Sequence, residues 1–173
     1  KYFKEIKRAE QIERDFIQKC WDNKYREFQY TAVDYLYVKM KYITDNDIAY
    51  LKELITAKSW WDSVDGFDRI FAQLSLKYPS VNDLMLSWSE DDNKWVRRSA
   101  IIYQLKLKEK TNTELLEKIL CNSFGTSEFF INKAIGWALR EYSKTNSKWV
   151  RNFIEKYSDS LSNLSIRAGS KYI

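Results

Sequence analysis

The 173-residue sequence contains no histidine, one proline, four glycines and two cysteines. Without histidine, Ser-His-Asp hydrolases, HExxH proteases and His-ligated metal sites are all excluded. Cys20 and Cys121 lie far apart and form no CxxC pair, which argues against a zinc cluster or a disulfide framework. No apolar run approaches the roughly 20 residues of a membrane span, and we recognise no signal peptide. Any catalysis is therefore expected to rest on carboxylates, Lys, Arg, Tyr or the fold itself.

The residues that are abundant favour a folded, basic protein. Hydrophobic residues make up 45% and aromatic residues 16% of the chain, which is enough for one domain with a real core. The net charge of +5 is uneven, because residues 93–156 hold 13 Lys and Arg against 6 Asp and Glu. This half of the chain either faces a polyanion or presents a solvated basic face with no partner.

Nearly every segment shows helical periodicity, and no β-rich run competes with it. The predicted helices cover 3–21, 24–41, 46–57, 60–77, 80–89, 94–108, 113–123, 127–143, 147–157 and 163–172. Three pairs have the spacing of a capping box at a helix start: Thr44 with Asp47, Ser59 with Asp62, and Thr111 with Glu114. The sequence therefore predicts an all-α protein.

The predicted helices are short and are joined by short polar turns, which favours stacked helical hairpins over a four-helix bundle. The tetrapeptide KWVR at 94–97 recurs at 148–151, and both copies open a predicted helix. This spacing is somewhat longer than a HEAT-type unit of about 40 to 47 residues. We therefore expect one domain over 1–173 that forms an α-α superhelix, or solenoid, with a concave binding face.

The first segment with chemical potential is SWWDSVD at 59–65. Its spacing makes Ser59 an N-cap with Asp62 as its partner, and places Trp61 and Asp65 one turn apart on one helix face. A tryptophan beside a carboxylate can hold a sugar while the carboxylate faces developing positive charge. The alternative pairs Asp65 with Arg69 at i+4 and buries both tryptophans in the core.

The second segment is WVRRSAI at 95–101. On a helical wheel Arg97 lies on a polar stripe, whereas Arg98 lies between Ile102 and Leu105 on the apolar side. A buried arginine needs an anionic partner. Arg98 is therefore a candidate for a phosphate contact, and the alternative is an internal salt bridge to an acid on a neighbouring helix.

The third segment is EFFINKAIGWALREYSK at 128–144. Asn132, Lys133, Gly136 and Arg140 form one narrow stripe on a helical wheel, with Trp137 at its edge. Glycine costs about 1 kcal/mol in a helix, so its presence favours a close approach of another group. That group is either a nucleic-acid backbone between the two cations or a neighbouring helix.

Together these segments resemble the DNA alkylation repair family, the HEAT-like-repeat proteins that include the bacterial alkylpurine DNA glycosylases. The resemblance covers roughly residues 20–173 and rests on 59–65, 95–101 and 128–144 with the flanking REFQYTAVDYL at 26–36. It implies cleavage of the N-glycosidic bond of positively charged N3- and N7-alkylpurines in duplex DNA. It also implies a bacterial cytoplasmic enzyme that works as a monomer on the nucleoid.

The resemblance also implies roles for individual residues. By motif position, Asp65 is the catalytic carboxylate and Arg98 is its partner near the DNA backbone. Trp61 and Trp137 line the same cleft and contact the damaged nucleotide. The family usually has further N-terminal helices that help to clasp DNA, and this sequence starts with Lys1, so we expect most of them to be missing.

The implied chemistry is consistent with the absence of histidine. A cationic alkylpurine leaves as a neutral base, so no general acid is required, and a carboxylate stabilises the oxocarbenium-like sugar that remains. No metal or redox cofactor is expected. There are two alternatives to an enzyme. One is a non-catalytic DNA-binding module of the same fold. The other is a protein-binding helical scaffold, and the basic excess of residues 93–156 disfavours the scaffold.

Overall fold

A computed structural model describes residues 10–173, and these residues form helices and turns with no strand. The predicted all-α fold is confirmed. The helices are α1 (Arg14–Asp22), α2 (Arg26–Val38), α3 (Ile48–Thr56), α4 (Trp61–Asp65), α5 (Asp68–Lys77), α6 (Ser80–Trp88), α7 (Lys94–Ile102), α8 (Thr113–Asn122), α9 (Phe129–Ser143), α10 (Ser147–Lys156) and α11 (Asn163–Gly169). None of the helices in this part of the chain is long and apolar enough to cross a membrane.

Several predicted helices are shorter than expected. The predicted helix 3–21 lies outside the described residues up to residue 9, and α1 begins only at Arg14. The predicted helix 24–41 ends as an α-helix at Val38 and continues as a short 3-10 turn. The predicted helix 94–108 ends at Ile102, because the chain then turns through a 3-10 segment at Lys108–Lys110.

The predicted helix 60–77 is divided in two at Gly66. The helix α4 ends at Asp65 and α5 begins at Asp68. A Cβ atom on Gly66 would lie 2.8 Å from Cγ1 of Val33, so the break allows α2 to approach closely. The hydroxyl of Tyr37, also on α2, donates to the Gly66 carbonyl. The helix α4 is therefore a separate five-residue element whose C-terminal end is fixed by α2.

Two of the predicted capping boxes have different outcomes. The box at Thr44 and Asp47 is confirmed, since the Thr44 amide donates to Asp47 Oδ2 at 2.9 Å and both reciprocal bonds are present. The box at Thr111 and Glu114 is wrong. Asn112 caps α8 instead, because its side chain lies one residue closer to the helix and accepts a backbone N–H of the first turn at 3.1 Å.

The third predicted box, at Ser59 and Asp62, is also wrong. The Ser59 hydroxyl donates backwards to the Ile55 carbonyl at 2.8 Å, so it does not cap α4. Asp62 faces α2 instead, where its carboxylate accepts from Arg26 Nη1 at 3.1 Å and from the Tyr30 hydroxyl at 2.6 Å. The helix α2 therefore holds α4 at both ends.

The two KWVR copies occupy similar positions near a helix start, offset by one residue relative to the capping asparagine. Asn93 precedes α7 and its side chain accepts the amide of Trp95 at 2.9 Å, while Asn146 precedes α10 and accepts the amide of Trp149 at 3.0 Å. Both copies thus lie in the first turn of an asparagine-capped helix. This correspondence agrees with the predicted solenoid of stacked helices.

The N-terminal ends of four helices lie side by side. The Trp60 ring, just before α4, contacts the rings of Trp95 on α7 and Phe130 on α9, with centroid distances of 6.1 and 5.4 Å. The helix α2 joins the row through the bonds of Arg26 and Tyr30 to α4. The helix α9 also packs against α11 on another side. This row of helix starts forms the base of the candidate site.

Candidate active site

A cleft of about 400 Å³ lies beside this row of helix starts. Its walls come from α4, α7, α9 and α11, and it contains two cations besides an ion pair. The lining residues are Trp61, Asp65, Arg98, Phe129, Phe130, Lys133, Trp137, Arg140 and Ala168. All six residues that the sequence analysis assigned to catalysis or DNA binding thus line one cleft.

An ion pair between Asp65 and Arg98 lies in this cleft. Arg98 Nε donates to Asp65 Oδ1 and Arg98 Nη2 donates to Asp65 Oδ2, both at 2.7 Å, so the pair is bidentate. Arg98 Nη1 donates to the Phe130 carbonyl at 2.6 Å, which ties the guanidinium to the first turn of α9. The Asp65 side chain is only 12% exposed and the Arg98 side chain only 6% exposed. The buried pair therefore fixes the carboxylate relative to α7 and α9.

This pairing confirms the internal salt bridge that was one alternative for Arg98, and it excludes the alternative partner of Asp65. Arg98 is buried as the helical wheel predicted, and its anionic partner is an acid on a neighbouring helix. The predicted alternative of Asp65 with Arg69 is wrong, because α4 ends at Asp65 and Arg69 belongs to the next helix. The guanidinium of Arg69 lies over the Tyr37 ring instead, 5.9 Å from its centroid.

The pKa of Asp65 lies above the ordinary carboxyl value of 3.8. Burial is the largest cause, because desolvation disfavours the charged form. The hydrogen bonds and the positive charge of Arg98 lower the pKa, and the negative charge of Asp62 raises it further. The carboxylate is therefore held in a partly desolvated place where its charge acts strongly on a group in the cleft.

The tryptophans at 60 and 61 are not core residues. Trp61 is 47% exposed at the edge of the cleft, and Trp60 is 42% exposed beside Trp95 and Phe130. The alternative that buries both of them is therefore wrong. Trp137 is half-buried on α9 and lines the same cleft as Trp61. The two indoles provide apolar surfaces in the cleft that contains the ion pair.

The stripe predicted on α9 divides between two neighbours. Lys133 and Arg140 line the cleft with Trp137. Gly136 faces α11 instead, where a Cβ atom would lie 2.7 Å from the Cβ of Ala168. Asn132 is buried beside it and donates to the Thr126 carbonyl at 2.9 Å. Of the two alternatives for Gly136, close packing against a neighbouring helix is confirmed, and the approach of a nucleic-acid backbone is wrong because α11 occupies that space.

The sequence analysis missed three residues that line the cleft: Phe129, Phe130 and Ala168. Phe129 is 53% exposed, and Lys133 Nζ lies 5.7 Å from its ring centroid. Phe130 packs against Trp95 with a centroid distance of 5.0 Å and accepts the bond from Arg98. The sequence signal for Phe129 and Phe130 was their position as a pair of large aromatic residues directly after the helix cap Glu128. The first residues of a helix are accessible because the helix ends there.

The cleft does not have the ligands of a metal site. Across residues 10–173, no group of three or more His, Cys, Asp and Glu side chains is arranged to hold a metal ion. Both oxygens of Asp65 accept from Arg98.

The fold and the cleft define a class: all-helical stacked-repeat proteins with a cationic, aromatic cleft around a buried carboxylate. The family model for the DNA alkylation repair enzyme matches residues 1–173, and the chain belongs to this family. The solved structure described as "Predicted DNA alkylation repair enzyme from Enterococcus faecalis" is 37% identical, with a TM-score of 0.85. The match covers 92% of this chain and 74% of that one. No curated protein matches the chain significantly.

Proposed function

We propose that the chain is a monofunctional DNA glycosylase that hydrolyses the N-glycosidic bond of positively charged N3- and N7-alkylpurines in duplex DNA. The observation that carries this proposal is the buried Asp65–Arg98 pair in a cleft edged by Trp61 and Trp137. Family membership supports a role in DNA alkylation repair. The proposed enzyme acts as a monomer on DNA in the bacterial cytoplasm and needs no cofactor.

The proposed chemistry uses a base that is already activated. When the bond between C1′ and the purine nitrogen breaks, its electron pair neutralises the cationic purine, so no acid has to donate a proton. The sugar left behind is oxocarbenium-like. Water then bonds to C1′ and releases a proton to solvent by way of the Asp65 carboxylate, whose remaining lone pairs are not used by Arg98.

The carboxylate stabilises the sugar cation electrostatically. At about 4 Å and an effective dielectric near 20, Asp65 attracts a unit positive charge by roughly 4 kcal/mol. Arg98 lies behind the carboxylate, and at about 8 Å it repels the same charge by roughly 2 kcal/mol. The net gain of roughly 2 kcal/mol corresponds to a rate factor on the order of 30. Arg98 thus limits the gain, while it fixes the carboxylate in place.

The other cleft residues are proposed to bind DNA. Trp61 and Trp137 pack against the sugar and the cationic base, since their faces are accessible in the cleft. Lys133 and Arg140 contact phosphates as exposed and half-exposed cations. Arg98 uses three of its five N–H groups on Asp65 and Phe130, so two N–H groups are left for the DNA backbone.

The proposal is tested by incubating the protein with duplex DNA that contains N7-methylguanine and measuring the released base. We expect release by the wild type and a large loss in Asp65→Asn, which keeps the size of the side chain but removes its charge. The control is Asp159→Asn, on an exposed residue beyond α10, which we expect to leave the rate unchanged. Equal release by wild type and Asp65→Asn would overturn the assigned role of Asp65.

One observation favours a second candidate, a non-catalytic DNA-binding module of the same fold. Both Asp65 oxygens are bound by Arg98, as they would be in a purely structural ion pair. Such a module binds duplex DNA with an affinity that falls as salt rises, and it releases no base. Under this candidate, Lys133→Ala and Arg140→Ala each reduce the salt dependence of binding, and Asp65 contributes only to stability.

A further inference from the structure

Asp65 is held firmly at its side chain, but the helix that carries it is not stable on its own. The helix α4 is only five residues long and has no side-chain cap. A single helical turn does not form by itself, because its few hydrogen bonds do not offset the cost of nucleation. The bonds of Asp62 to α2 and the buried side chains of Ser63 and Val64 hold the first part of α4. The position of Asp65 therefore depends on what holds the C-terminal end.

Tyr37 on α2 makes the contact at this end, directly beside Asp65. Its hydroxyl donates to the carbonyl of Gly66, the residue that follows Asp65. Val33, one turn earlier on α2, lies so close to Gly66 that a Cβ atom there would be 2.8 Å from Val33 Cγ1. Tyr37 does not line the cleft. Its hydroxyl thus acts on the backbone next to the carboxylate, without contact to a molecule in the cleft.

The hydroxyl of Tyr37 remains a hydrogen-bond donor at neutral pH. Burial and the negative charge of Asp68 raise its pKa to about 12, against an opposite effect of Arg69. The Arg69 guanidinium also lies over the tyrosine ring, 5.9 Å from the centroid, so the ring itself packs between neighbours on α5 and α2. The bond to Gly66 is therefore a permanent part of the folded protein.

We propose that Tyr37 is a positioning residue for base release, which holds the Asp65 carboxylate at its working distance from the sugar. Arg98 fixes the carboxylate through the side chain, and Tyr37 fixes it through the backbone one residue away. A misplacement of about 1 Å in an active site costs about 100-fold in rate, so we expect a shift of a few tenths of an ångström to cost several-fold. The inference rests on the proposed function, because it gives Tyr37 a part in the same reaction.

The experiment compares Tyr37→Phe with a matched control, Tyr50→Phe. Each substitution removes one hydroxyl from a half-buried tyrosine and keeps the ring. The Tyr50 hydroxyl also donates to a backbone carbonyl, that of Arg14 at 3.4 Å, and the Arg14 guanidinium lies 4.9 Å from the centroid of its ring. Burial raises the pKa of Tyr50 to about 12 as well. The two tyrosines differ in location, since only Tyr37 binds a carbonyl next to Asp65.

Base release from a duplex with N7-methylguanine is measured in single turnovers at saturating enzyme, and duplex affinity is measured separately. We expect Tyr37→Phe to release base roughly fivefold more slowly. Tyr50→Phe should stay within about twofold of the wild type. Both variants should keep the wild-type affinity, because neither tyrosine lines the cleft. Circular dichroism checks that both are folded, and equal release rates in the two variants would overturn the inference.

A double variant separates positioning from a general loss of structure. If Tyr37 acts through Asp65, adding Tyr37→Phe to Asp65→Asn should slow release no further, because no carboxylate is left to position. A loss that does not depend on the carboxylate would instead multiply the effect of Asp65→Asn. A further loss of roughly fivefold in the folded double variant would therefore overturn the inference.

Hydrogen exchange measured by NMR tests the hold on Asp65 without any base release. Arg98 Nε donates to Asp65 Oδ1 at 2.7 Å, so exchange of this N–H reports how firmly the carboxylate stays in place. We expect roughly fivefold faster exchange in Tyr37→Phe and no change in Tyr50→Phe. Unchanged exchange in Tyr37→Phe would overturn the inference. If the wild type releases no N7-methylguanine, the proposed function fails, whereas the exchange rates still decide whether Tyr37 holds Asp65 in place.

Discussion

Asp65→Asn is the substitution whose effect the structure specifies most fully. The amide keeps the size of the carboxylate but can accept only one of the two bonds that Arg98 donates. It leaves the guanidinium of Arg98 buried without a counter-ion. Loss of one partner of a buried pair costs about 3 kcal/mol of folding stability, or a fall in Tm of roughly 10 °C in a chain of this size. The assay temperature must therefore lie well below the midpoint of the variant.

The rate loss in Asp65→Asn should exceed the net electrostatic stabilisation that the Asp65–Arg98 pair gives the transition state. In the wild type, the attraction of roughly 4 kcal/mol from Asp65 is offset by a repulsion of roughly 2 kcal/mol from Arg98. In Asp65→Asn only the repulsion remains, so the transition state loses about 4 kcal/mol, a rate loss on the order of a thousandfold. In Asp65→Asn/Arg98→Gln neither charge remains, and the loss is about 2 kcal/mol, on the order of 30-fold.

The assay is base release under single-turnover conditions with enzyme in excess, so that altered DNA affinity does not contribute. The expected order is wild type fastest, the double variant next and Asp65→Asn slowest. Circular dichroism confirms that each protein is folded at the assay temperature. A folded, saturated double variant as slow as Asp65→Asn would refute the electrostatic reasoning, and so would a loss of less than about tenfold in Asp65→Asn.

Three further perturbations test other parts of the site. Asp62→Ala removes the anchor of α4 to α2 and should slow base release roughly tenfold. The control Glu117→Ala also removes a carboxylate with a cationic and a tyrosine partner, but Glu117 does not line the cleft, so the rate should change less than about twofold. Gly136→Ala should lower stability by about 2 kcal/mol in thermal unfolding, and adding Ala168→Gly should restore only part of it, because the contacts with the Ser165 backbone remain. Because burial raises the pKa of Asp65 and the carboxylate is the active form, base release should increase with pH through a midpoint above 3.8, and this acid limb should be absent in Asp65→Asn.

The burial of Arg98 was predictable from sequence, whereas its partner was not. The helical wheel places Arg98 among apolar side chains, and the structure confirms this at 5% exposure. The i+4 rule then favoured Asp65 with Arg69, but that rule applies only within one helix. The break at Gly66 depends on the close approach of α2, which no local pattern in 59–69 records.

The same limit applies to α9. Its periodicity correctly placed Lys133 and Arg140 near one face, and both line the cleft. The helical wheel could not show which neighbour lies against Gly136, because that depends on the long-range packing of α11. The aromatic pair Phe129 and Phe130 was missed for a related reason, since its accessibility depends on where the chain turns before the helix.

The central claim is that the cleft releases bases that are already cationic, without a general acid. The most direct test compares duplexes that carry N7-methylguanine, which is cationic, and O6-methylguanine, which is neutral, with saturating wild-type enzyme. The account predicts release of N7-methylguanine and no release of O6-methylguanine. Comparable release of the neutral base, or no release of the cationic base by a folded protein bound to the duplex, would contradict it.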